Sequence, residues 1–305
     1  MRVFVTGGTG AIGRHTVPAL VAAGHEVTAL ARGPEKAATL AAQGATPVQV
    51  SLFDTGALTK AFAGQDAVVN LASALPSMYR FVSAKAWAHN NQVRSKGSTS
   101  VVDAALAADV SVLVQESVAM LYKSQGEDWI DETGPVDHYP ITKGNHATEA
   151  NVQRFTDAGR TGIVLRFGLF YGPGAAHSEQ MLAQAKRHIV MMLGPAEAYQ
   201  SSINVIDGGE AVAAVLTAEA GIYNVVDDEP LTKRDFADAM AAAVHTTAWL
   251  RPPGRAALLL GDRLTSITRS LRVSNAKLRT ATGWAPRHPS AREGLAATAV
   301  AMHLG

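Results

Sequence analysis

A 305-residue chain with 47% apolar and 17% charged residues can bury a large core and is too hydrophobic to stay disordered. Its net charge of +1, with no basic stretch interleaved with aromatics, gives no electrostatic reason to expect nucleic acid as a partner. The absence of cysteine excludes a disulfide, a thiol nucleophile and a Cys-ligated metal, and suits a cytoplasmic protein.

The first strand is expected at residues 3–5, so no secretory segment is expected ahead of it. Thr6-Gly7-Gly8-Thr9-Gly10-Ala11-Ile12-Gly13 follows, and Val17, Leu20 and Val21 then recur at helical spacing up to Gly24. Strand, glycine turn and helix N-terminus together make an anion site. Gly7 gives the sharp exit from the strand, Gly10 lets backbone approach a pyrophosphate, and Gly13 brings the helix close to the sheet. Further strands are expected at residues 27–30, 47–50, 67–71, 110–115 and 162–165, with alanine-rich helical patterns at 35–42, 98–108 and 147–157 between them. This alternation predicts an α/β fold, a doubly wound parallel sheet with its ligand crevice at the carboxyl ends of the strands. Beyond Gly174, helical stretches at 179–193 and 233–245 are broken by proline and glycine turns, which predicts a smaller, discontinuous C-terminal cap over the substrate. The apolar run 256–260 is far too short to span a membrane. The ten histidines form no metalloprotease pattern, His138 and His146 read as scattered surface residues, and no metal site is expected.

Several segments carry a family resemblance. They are the Gly7-x-x-Gly10-x-x-Gly13 turn after Thr6, Asp66-Ala67-Val68-Val69-Asn70-Leu71-Ala72, and Arg166-Phe167-Gly168-Leu169-Phe170-Tyr171-Gly172-Pro173-Gly174. Gly221-Ile222-Tyr223-Asn224-Val225-Val226-Asp227-Asp228 and Thr282-Gly283-Trp284-Ala285-Pro286 join them. Over essentially its whole length the chain resembles the extended branch of the short-chain dehydrogenase/reductase superfamily, of the NAD(P)-dependent epimerase/dehydratase type. The resemblance implies a Rossmann domain built from residues 1–165 and 202–226, and a substrate-binding cap built from 166–201 and 227–305. It also implies a dinucleotide held by Gly7, Gly10, Ala11, Ile12 and Gly13, with Leu71, Ala72 and Phe167 towards the nicotinamide. A small-molecule substrate and a monomer or homodimer complete the expectation.

An acid at the end of the second strand usually holds the adenosine ribose hydroxyls. Here Ala31 takes that position and Arg32 follows, a guanidinium suited to a 2′-phosphate, with Arg14 as a second cation at the rim. NADP(H) is therefore favoured over NAD(H). The alternative is that Arg32 is an ordinary solvated arginine. The pair set against adenine is Ser51-Leu52, where the resembled family commonly has an Asp.

For catalysis the resemblance implies a Tyr, a Lys four residues later, and a Ser or Thr at the end of the fifth strand. Tyr139-Pro140-Ile141-Thr142-Lys143 satisfies the spacing, with Ser117 as the hydroxyl. Lys143 would lower the phenol pKa, by ~3 units for a base near neutrality, and would touch the nicotinamide ribose. A second register stays open. The family's Glu, four residues beyond the Lys, is matched here by Glu149 only if Ile141 and Asn145 take the catalytic positions. Pro140 biases Tyr139 away from helical geometry. Counted back from Tyr122, the hydroxyl position falls on Val118, with Ser117 adjacent, and one residue along a strand reverses the face.

Two functions are open from sequence. One is an NAD(P)-dependent oxidoreductase or epimerase moving hydride to or from a hydroxyl or carbonyl of a small metabolite, nucleotide sugars being the commonest class among such relatives. The other is an NADP(H)-binding sensor or scaffold with a degraded triad. Ala119-Met120 stands where dehydratases carry Asp-Glu, which argues against that subtype.

Overall fold

Alternation along the first strand sets the layers of the molecule. In β1 (Arg2–Thr6), Val3 and Val5 join one buried cluster and Phe4 joins another on the opposite face. The computed structural model describes residues 1–76, 83–190, 192–247, 254, 259, 261 and 264–304; the apolar run 256–260 lies outside them apart from Leu259. From β1 the chain passes through α1 (Gly13–Ala22), β2 (Glu26–Leu30), α2 (Pro34–Ala42), β3 (Thr46–Val48), α3 (Thr55–Phe62) and β4 (Ala67–Asn70). Next come α4 (Ala84–Gln92), a π turn at Val93–Gly97, α5 (Ser98–Ala107), β5 (Val112–Val118), β6 (Trp129–Ile130), α6 (Lys143–Asp157), β7 (Thr161–Phe167) and β8 (Leu169–Tyr171). The remainder runs α7 (Ala176–Ala185), β9 (Tyr199–Gln200), β10 (Ser202–Asn204), α8 (Val205–Ala214), β11 (Gly221–Val225), β12 (Leu231–Thr232) and α9 (Lys233–Ala243). It closes with α10 (Thr265–Thr268), β13 (Arg272–Val273), α11 (Ala276–Thr282) and α12 (Ala291–Ala301).

Seven strands form one parallel sheet in the order β11-β7-β5-β4-β1-β2-β3. Val17, Leu20, Leu40 and Val212 from α1, α2 and α8 cover one face, and Leu58, Phe62, Val101 and Phe155 from α3, α5 and α6 cover the other. Phe4 and Phe62 meet edge to face at 4.8 Å, and complete burial of one such ring contributes about 1.5–3 kcal/mol. Strand order reverses between β1 and β4, so the carboxyl ends of those two strands open the crevice where an α/β sheet binds its ligand.

A separate apolar cluster joins Tyr171 and Leu182 to Phe236, Met240 and Leu295, tying α7, α9 and α12 together beside the sheet. Leu278 and Trp284 pack with the sheet's own core, although they come late in the chain. Several elements differ from the sequence expectation, α3 and α4 among them, for which no helix was expected. α7 ends at Ala185 instead of near 193, because His188 turns left-handed at φ 64. α6 starts at Lys143, four residues earlier than its apolar pattern, and β11, which carries no distinct strand pattern, pairs with β7.

Candidate active site

The glycine turn sits over the switch point. Gly7 adopts φ +72, and a Cβ there would stand 2.5 Å from the Leu71 carbonyl oxygen, so only glycine fits between β1 and the chain leaving β4. The Gly10 amide donates to the Gly7 carbonyl at 2.9 Å and leaves Gly10 itself exposed. A methyl at Gly13 would overlap the Gly7 carbonyl, so this glycine brings α1 against the loop rather than against the sheet. Ala11 is half-buried and Ile12 is buried in the sheet core. Open backbone at a helix N-terminus with one exposed glycine fits a pyrophosphate. Arg14 reaches back to the Gly10 carbonyl at 3.4 Å and lies along Gly174, while the His15 ring donates to the Pro173 carbonyl at 3.0 Å. The glycine turn and the Tyr171-Gly172-Pro173-Gly174 segment therefore meet across one rim.

At the end of β2, Ala31 is buried and Arg32 is exposed, with no hydrogen bond or ion pair among the described residues. Ser51 turns back on itself, its hydroxyl accepting from the Phe53 amide at 3.3 Å, and Leu52 packs on Gly97. The Leu71 amide donates to the Thr6 carbonyl at 3.2 Å, and the Ala72 amide donates to the Asn70 side chain at 3.3 Å. The Phe167 ring is buried against Phe170, so only its backbone is available to a ligand.

Among the described residues, none of Ser117, Tyr139 and Lys143 hydrogen-bonds another. Ser117 is fully buried and donates to Glu149 at 2.7 Å, and Glu149 in turn holds Arg166 through bonds of 3.0 and 2.7 Å. Tyr139 is extended (φ −111, ψ 154) ahead of a 3₁₀ turn at Pro140–Thr142, outside α6. Its hydroxyl donates to Asp137 at 2.6 Å, the Arg269 guanidinium lies 4.4 Å from its ring centre, and Trp87 and Ile141 complete the cluster. Lys143 is exposed and unpaired among the described residues. Val118 is half-buried at the end of β5. Tyr122 donates to Asn224 at 2.8 Å, and burial pushes its pKa up to about 12. His138 and His146, expected to be scattered, stack at 4.0 Å, and burial holds the His146 pKa down.

Sequence reasoning missed the polar floor of the crevice. Thr6 donates to Asn70 at 2.5 Å, Asn70 to Gln115 at 2.7 Å, and Gln115 back to the Asn70 carbonyl at 3.1 Å, locking the carboxyl ends of β1, β4 and β5. Beside it Arg94 and Glu116 form an almost completely buried ion pair at 2.7 Å. Nothing short-range announces that pair, since its partners are 22 residues apart. The Glu149–Arg166 pair had a signal: the choice of Glu149 as the family's anchor.

Strand order, glycine turn and rim define a dinucleotide-binding enzyme of the Rossmann type. A sequence model of the NAD dependent epimerase/dehydratase family matches residues 3–225, and the chain belongs to that family. It is similar to the 3-diazoavenalumate denitrifying reductase of a Streptomyces species, 34% identical over 310 residues, 97% of this chain and 99% of the relative. It is also similar to the 4-hydroxy-2-methyl-3-oxo-4-farnesyl-3,4-dihydroquinoline-1-oxide ketoreductase of Stigmatella aurantiaca, 29% identical over 77% of this chain and 71% of the relative. The structure of UDP-glucose 4-epimerase from Thermus thermophilus in complex with NAD superposes with a TM-score of 0.80 at 26% identity, covering 99% of each chain. The protein is an NAD(P)-dependent enzyme of the oxidoreductase/epimerase type. Among the described residues no helix is long and apolar enough to cross a membrane.

Proposed function

We propose that the protein is an NADP(H)-dependent reductase whose small-molecule acceptor takes hydride without a proton from a Tyr–Lys pair, and that this acceptor is an aryl diazonium. The observation that carries the reading is that each candidate proton donor is committed or turned away. Ser117 donates to Glu149, Tyr139 donates to Asp137, and Lys143 faces solvent. The cofactor, when bound, supplies one hydride. A carbonyl becoming an alcohol needs that hydride and a proton as well, whereas an aryl diazonium becoming an arene and dinitrogen needs the hydride alone. The Streptomyces relative, named for a diazo substrate and for denitrification, supports the same acceptor class.

In this reading Gly7, Gly10, Ala11, Ile12, Gly13 and Arg14 surround the pyrophosphate and Arg32 takes the 2′-phosphate. Ser51 and Leu52 flank adenine, and Leu71, Ala72 and the Phe167 backbone face the nicotinamide half. The body built on α7, α9 and α12 covers the substrate. The protein is cytoplasmic, monomeric or homodimeric, and does not bind nucleic acid. A second reading, reduction of a carbonyl with Tyr139 as acid, draws on the half-buried Tyr139–Asp137 hydrogen bond and on the Stigmatella ketoreductase. The test compares NADPH oxidation with a hydroxybenzenediazonium salt, scoring dinitrogen release, against oxidation with a β-keto ester, in wild type and Tyr139→Phe. Diazonium turnover that survives Tyr139→Phe is expected. Turnover of the keto ester alone, lost in Tyr139→Phe by ~10²-fold, would establish the second reading instead.

A further inference from the structure

We propose that Asn145, and not Lys143, is the side chain of α6 that binds the nicotinamide-side ribose of the dinucleotide. The inference rests on the cofactor reading above and deepens it. Glu149 fixes one face of α6, because it accepts from Ser117 on β5 and pairs with Arg166 on β7. Asn145 precedes Glu149 by four residues and therefore shares that face. The helix connects two parallel neighbouring strands and so runs back against them. One turn towards its N-terminus is thus one turn, about 5.4 Å, further out over their carboxyl ends, where the crevice lies. Lys143 is only two residues away, about 200° round the helix, and points to the opposite side. Its exposure agrees with that placement.

At this position Asn145 is only 4% exposed, yet its side chain makes no hydrogen bond among the described residues, and its Nδ2 is shielded from solvent. A buried amide without a partner is costly, so a native one calls for an explanation. Nearby polar groups are in part engaged elsewhere, and Asn91 Oδ1 is itself buried without a partner among the described residues. The glycine beside it, Gly144, packs tightly on Arg94 and Asn91; Arg94 is engaged with Glu116, and Ser117 with Glu149. An amide offers one donating and one accepting group, and adjacent ribose hydroxyls can satisfy both. An Asn in place of a Lys also removes the ammonium that would stabilise a phenolate, which agrees with an acceptor that needs no proton.

The test titrates the intact protein with NADPH and with adenosine 2′,5′-bisphosphate, which carries the adenosine half and its phosphate but no nicotinamide ribose. Asn145→Ala and Asn145→Leu should each weaken NADPH about tenfold while leaving the bisphosphate unchanged, with the thermal midpoint followed alongside. Lys143→Met should change neither affinity. Unchanged NADPH affinity in both Asn145 variants, an equal loss for both ligands, or a selective NADPH loss in Lys143→Met overturns the assignment. Failure of the wild type to bind either ligand overturns the cofactor reading, and this assignment with it.

Discussion

Removal of the Arg32 guanidinium isolates the cofactor preference. Arg32 is exposed and pairs with nothing among the described residues, so Arg32→Ala breaks no contact there and should change stability by less than about 0.5 kcal/mol. Whatever is lost is then lost from the ligand. Hydrogen bonds to a charged group contribute about 1.5–3 kcal/mol, which corresponds to about a ten- to hundredfold rise in the NADPH dissociation constant. NADH has no 2′-phosphate and should bind both proteins within about twofold. Because the contact is at an exposed rim, added salt should weaken NADPH binding to the wild type more than to the variant. Calorimetric titration of both cofactors against both proteins, at low and high salt, reads all of these quantities. Equal losses for NADPH and NADH, or tighter wild-type binding of NADH, would refute the reasoning and return Arg32 to an ordinary solvated cation.

Two further outcomes follow from buried polar groups. Ser117→Ala removes a donor from Glu149 but leaves Arg166 in place, so unfolding free energy should fall by about 1.5–3 kcal/mol with turnover nearly unchanged; lost turnover at unchanged stability would make Ser117 catalytic. Lys233 is buried, donates to the Leu193 and Ile267 carbonyls at 2.5 and 2.6 Å, and has no carboxylate partner among the described residues; burial pushes its pKa from 10.5 down to about 8. Between about pH 8 and 10.5 the unfolded chain therefore holds more protons than the folded one, and stability at this site rises with pH. Denaturant unfolding of the wild type and Lys233→Met should show the difference shifting towards the wild type by up to about 3 kcal/mol across that window, and a flat or opposite trend would refute it.

The parts of this protein legible in its sequence are those set by near neighbours. Val3, Phe4 and Val5 alternate between two faces because a strand has a period of two, and the Gly7 turn is fixed by a backbone conformation that only glycine adopts freely. Pro140 made the break before α6 readable, because its ring keeps Tyr139 extended. What only the tertiary structure decided depends on partners far apart in the chain. Glu149 finds Ser117 across 32 residues, and Arg94 finds Glu116 across 22. β11 becomes a strand because β7 offers it an edge, and a helical register shared with Glu149 carries Asn145 inward while Lys143 turns out. Spacing in the sequence satisfied Tyr-x-x-x-Lys, but spacing fixes a shared face only inside a continuous helix, and here the helix begins at the lysine.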